Sequence, residues 1–141
     1  MRALLLAGAA VAVLVFSACG STSSTSSTIA VPHYTTAKEK DNSWGAAKRY
    51  EYDIVVDGKP THAQLDAIAS EVVQKAKDEH PLNAVFVFFF EKKSEISAGN
   101  GYTLGRAQYA PGGDWGNAAS VQTGDYSTMK LTMDYGSATG L

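Results

Sequence analysis

The chain has 141 residues, of which 45% are hydrophobic and 18% charged, the makeup of one globular domain plus some unstructured sequence. Lys and Arg number 12 against 14 Asp and Glu, a net charge of −2, so there is no basic excess for phosphates and no nucleic-acid partner is expected. The single cysteine excludes an internal disulfide and, by the same count, structural zinc, so the core itself must hold the fold together.

Met1 and Arg2, followed by an apolar run over residues 4–16, have the length of a secretory leader and fall short of the roughly 20 residues of a spanning helix. Residues 1–18 are therefore read as a signal peptide. The segment Phe16-Ser17-Ala18-Cys19 resembles the lipobox of bacterial lipoproteins, where a small residue precedes a cysteine that becomes the new N-terminus. The resemblance implies a diacylglyceryl group on Cys19 and an exported protein held at the cell membrane or outer membrane. Phe16 departs from the family, which usually has Leu at that position. Two acyl chains give stable attachment where one is marginal, so no spanning helix is needed.

Residues 21–28 are all serine or threonine and have no apolar face to offset the entropy of ordering them. We read residues 19–43 as a lipidated, flexible tether that reaches about 25 Å from the membrane. His33 falls in this spacer and is read as solvated. The folded domain is expected over residues 44–141.

Tyr50, Tyr52, Ile54 and Val56 alternate with Glu51, Asp53, Val55 and Asp57, the period of a strand with one buried face. Asp57-Gly58-Lys59-Pro60 is a turn, and Thr61 with Gln64 forms a capping box that starts a helix. Leu65, Ile68, Ala69, Val72, Val73 and Ala76 fall on one stripe of that helix, and Pro81 stops it. The apolar run over residues 84–90 predicts a central strand covered on both faces, and residues 102–109 and 129–135 predict two more strands. The expected fold is α+β, a small mixed sheet with one helix packed on one face, in the order β-α-β-β-β. One helix leaves the second face of the Phe-rich strand uncovered.

The segment from Tyr109 to Ala119, which contains Pro111, Gly112, Gly113 and Trp115, is the candidate cover for that face. Trp115 can act as a plug over the phenylalanines, the role that the uncovered strand favours. Alternatively, Trp115 can join Arg106 and Tyr109 as an exposed aromatic platform for a sugar, peptide or aromatic ligand. The glycines at 99, 101 and 105 precede a strand rather than a helix, so they form a hairpin loop and not a phosphate cradle. His62 and His80 sit about 27 Å apart at the two helix ends, too far to share a metal. Glu51, Asp53 and Asp57 read as an exposed charged strand face. No catalytic motif, metal site or cofactor site is recognised.

Residues 50–135 are also similar to small exported bacterial lipoproteins of unassigned function, through the Phe-rich strand, Tyr-Thr-Leu-Gly-Arg and Ala-Pro-Gly-Gly-Asp-Trp. That similarity carries no catalytic residue. The reading is a membrane-anchored, non-enzymatic module that binds an envelope protein or glycan. Two alternatives stand beside it. One is a cell-wall hydrolase or transferase using carboxylates such as Asp114 or Glu91, and the other is a phage-encoded or defensive surface protein.

Overall fold

The computed structural model describes residues 29–98 and 101–136. The leader, Cys19 and the Ser/Thr run lie outside the described residues, as does part of the glycine-containing loop. In chain order the elements are β1 (Tyr34–Asp41), β2 (Arg49–Val56), α1 (His62–Glu79), β3 (Ala84–Phe90), α2 (Lys93–Ser97), β4 (Gly105–Pro111), a 3-10 helix (Trp115–Ser120) and β5 (Met129–Tyr135).

The strands form one sheet in the order β1-β2-β3-β4-β5. Strands β2 and β3 are parallel and joined through α1, whereas the other neighbours are antiparallel. This is the expected α+β fold, a mixed sheet with α1 on one face.

The helix begins as its sequence dictates. Thr61 Oγ1 accepts the Gln64 backbone N–H at 3.3 Å, and Gln64 Oε1 accepts the Thr61 backbone N–H at 2.9 Å. Leu65, Ile68, Ala69, Val72, Val73 and Ala76 are all buried against Tyr52, Ile54, Val85, Val87 and Phe89 of the sheet. Each large aliphatic side chain so buried contributes roughly 1.5–3 kcal/mol. At the far end of the sheet the Tyr135 hydroxyl donates to Asp66 Oδ1 at 2.6 Å, and this bond raises the phenol to about 12. Buried Asn83 accepts the Lys48 backbone N–H at 2.8 Å and the Thr123 hydroxyl at 2.7 Å, and donates to the Val121 carbonyl at 3.0 Å. It thereby pins the β1–β2 hairpin to the connection before β5.

Strand β1 corrects the expected order and the expected tether. It lies within residues 19–43, so the sheet gains a first strand and the fold begins upstream of residue 44. Two physical reasons hid it. As an edge strand it is solvated on both faces and carries Lys38, Glu39, Lys40 and Asp41. Its register also shifts between Thr36 and Lys38, which breaks the period-two pattern that sequence reading relies on. A tight turn through Gly45, at φ 60°, then leads into β2, and Trp44 beside it stands 81% exposed. His33 is not a bare spacer residue, since its Nδ1 lies 2.9 Å from Asp57 Oδ2.

Candidate functional site

Strand pairing decides which residues share the face opposite α1. Across β1, β2 and β3, Lys38 pairs with Asp53 and Lys40 with Glu51, and Glu51 and Asp53 pair in turn with Phe86 and Phe88. Across β3, β4 and β5, Phe86 and Phe88 pair with Gln108 and Arg106, and these pair with Thr132 and Asp134. A line of phenylalanines therefore runs down the centre of the face with charged flanks on both sides. The expectation that β3 is covered on both faces needs correction here. Phe90 is buried, but Phe86 and Phe88 are only partly so.

Trp115 covers one end of that line. Its indole stacks on Phe86 with centroids 4.3 Å apart and planes at 23°, and it packs against Ala47, Ala84, Ala110 and Ala118. The Arg49 guanidinium lies 5.8 Å from the same ring. Trp115 is thus engaged as a plug. The stack continues from Phe86 to Phe88 at 5.4 Å and from Phe88 to Tyr102 at 6.3 Å.

The platform of Arg106, Tyr109 and Trp115 does not assemble. Arg106 is on the helix-free face but 3.2 Å from Asp134 and over the Tyr102 ring, and Tyr102 donates to the same Asp134 carboxylate at 2.6 Å. Tyr109, one register position from Gln108, turns to the helix side. There it packs against the main core beside Tyr126, with the Lys77 ammonium over both rings. Strand alternation separates residues 106 and 109, which stand three apart.

Asp114 and Glu91 do not converge either. Asp114 follows β4 and accepts the Gly116 N–H at 2.8 Å to start the 3-10 helix, whereas Glu91 follows β3. Because β3 and β4 are antiparallel, the two carboxylates sit at opposite ends of the sheet, about 20 Å apart. His62 and His80 each stack on a tyrosine, Tyr135 at 3.8 Å and Tyr50 at 4.5 Å.

The feature that sequence reading missed is a cleft on the β1 side of the phenylalanine line. Lys38, Glu51, Asp53, Phe88, Phe90, Ile96 and Gly101 enclose about 250 Å³. Its central polar group is Asp53. The residue is 5% exposed, and its carboxylate lies under the influence of the Lys38 and Lys40 ammonium groups of β1. Burial, and secondarily the charge of Glu51, hold the Asp53 carboxyl above the ordinary carboxylate range, while Lys38 and Lys40 pull the other way. Glu51 differs in being tied down, accepting from Asn42 Nδ2 at 2.8 Å.

The expected exposed face of Glu51, Asp53 and Asp57 is therefore three different environments. Asp57 is exposed beside His33, Glu51 is half-buried, and Asp53 is inside. One signal was present in the sequence. A neighbouring strand with phenylalanine at alternate positions on the same face leaves any carboxylate beside it in apolar surroundings. Compared with known proteins, the chain matches no family profile, no curated protein and no solved structure.

Proposed function

We propose that this protein is a lipid-anchored, non-catalytic binding module of the bacterial envelope. In this reading Cys19 carries the anchor, and the cleft at Asp53 receives a hydrogen-bond-donating group of an envelope glycan or protein. The single observation that carries the binding role is Asp53 itself. A carboxyl this far buried is costly to keep charged, and a ligand hydroxyl or amine in the cleft would donate to it. The rings of Phe88 and Phe90 and the side chain of Ile96 offer an apolar floor for the rest of that group. Among the described residues, no helix is long and apolar enough to cross a membrane.

The hydrolase reading draws support from the same carboxylates. Glu51 and Asp53 are two residues apart on one strand face, near enough for the Glu51 charge to act on the Asp53 carboxyl, as the two groups of a catalytic carboxyl pair do on each other. Binding is favoured because both carboxyls project from the same wall. A bond cleaved between acid and base needs them on opposite sides of the scissile atom.

Titration of soluble cell-wall fragments into labelled protein tests both readings. Binding predicts NMR shifts at Asp53, Phe88 and Phe90 with intact fragments, lost in Asp53→Asn. Hydrolysis predicts new reducing ends that disappear in Asp53→Asn. Shifts confined to other surfaces would overturn the assignment of the cleft.

A further inference from the structure

On the helix side of the sheet, at its β1 edge, three potential metal ligands come together from two separate parts of the chain. Glu39 lies on β1, Glu79 ends α1, and His80 is the residue that caps α1. Their ligand atoms all lie within 4.8 Å of one another, and His80 Nε2 is 3.5 Å from Glu39 Oε1. Donors held about 2.1 Å from a tetrahedral zinc lie about 3.4 Å from each other, so small rotamer changes close this set around an ion. The imidazole plane is already fixed, because His80 stacks on Tyr50 at 13° and its backbone N–H is held by the Ala76 carbonyl at 2.9 Å.

A second observation points the same way. The Tyr52 hydroxyl is buried, the residue being 1% exposed, and it has no hydrogen-bond partner in good geometry. Burial first, and then the charges of Glu39 and Glu79, raise the phenol, and the Glu39 carboxylate is also within reach of its hydroxyl as an acceptor. It is a donor lying against these carboxylates. Ligating carboxylates ordinarily have such a partner, which orients them and tunes their hold on the metal.

We propose that Glu39, Glu79 and His80 bind a zinc ion, with water completing the coordination and the Tyr52 hydroxyl orienting the carboxylates from beneath. One imidazole and two carboxylates suit zinc, whereas magnesium prefers oxygen ligands alone. The cysteine count, which excluded structural zinc from the sequence, does not bear on a donor set of this kind. Among the described residues, a lysine competes for these carboxylates at Glu79 alone, where Lys75 Nζ lies 3.7 Å from Oε1 in a surface pair of the weak i,i+4 type. Zinc would tie the solvated edge strand β1 to the end of α1. It would therefore raise thermal stability by binding the folded state alone.

Zinc chloride titrated into the full chain in detergent, followed by calorimetry and by the His80 ring resonances, tests the proposal. The expected result is one site that shifts the His80 ring, with no such shift from magnesium. Affinity should fall by about tenfold or more in Glu39→Gln and in Glu79→Gln, and by about tenfold in Tyr52→Phe. Asp78→Asn, on the same exposed helix end, should leave it unchanged. Glu79 is exposed, so Glu79→Gln folds normally and is the decisive variant. Equal affinity in Glu79→Gln and the parent chain, unmoved His80 resonances in excess zinc, or binding traced to His33 or Cys19 would each overturn the site.

Discussion

Replacing Asp53 with asparagine should make the domain more stable at neutral pH while abolishing what the cleft does. Asp53 is 5% exposed, and burial is the main influence on its carboxyl. Stripping a polar group of its hydration costs about 1–3 kcal/mol, and Lys38 and Lys40 across the strand offset part of that. Removing the charge at constant shape should therefore return about 1 kcal/mol at pH 7. In urea this is a rise of roughly 0.5–1 M in the midpoint with an unchanged slope.

The gain must also depend on pH in one direction. Burial raises the Asp53 carboxyl in the folded state, so folding favours its protonated form. Below the unfolded carboxylate value of about 3.9 both states are protonated and the penalty is absent, and it grows as pH rises through the elevated folded value. The advantage of Asp53→Asn should accordingly shrink as pH falls toward about 3.5. Urea unfolding of both proteins across this range is the assay. A variant less stable than the parent at pH 7, or an advantage independent of pH, would refute the reasoning.

Three further outcomes are expected. Trp115→Ala should lower stability by about 2–3 kcal/mol, less than a fully buried tryptophan because the indole is half-buried, and a loss below about 1 kcal/mol in denaturant melts would remove its role as a plug. Asn83→Ala deletes three hydrogen bonds between loops distant in sequence and leaves the Lys48 N–H without its acceptor, so it should cost about 2 kcal/mol or more by the same measurement. Cys19→Ala should release the protein to the soluble fraction or leave the leader uncleaved, read by fractionation and intact mass, and membrane-bound protein of mature size would contradict the proposed anchor.

Helix α1 shows how far local sequence reaches. Its capping box, its stop before Pro81 and all six buried positions follow from residues within a few turns of one another, and a single period of 3.6 explains them. Strands β3 and β5 were legible for the same reason, through an apolar run in one and strict alternation in the other. β1 was not, because an edge strand solvated on both faces has no apolar period, and a register shift removed what remained.

The candidate sites divide along the same line. Glu51 and Asp53 look equivalent in the sequence, two residues apart on one strand face. Only the placement of Lys38 from β1, Phe88 and Phe90 from β3 and Ile96 from α2 around them makes Asp53 interior and leaves Glu51 half-exposed. Arg106, Tyr109 and Trp115 are close in sequence and yet divided between the two faces of the sheet. Glu39 and His80 are 41 residues apart and meet at 3.5 Å. Sequence by itself determined helix α1 and the strands that carry an apolar period, because backbone period and capping are local properties. The tertiary structure alone decided which charges are buried, paired or brought together, because solvation depends on what the neighbouring strands place beside each residue, and those neighbours come from elsewhere in the chain.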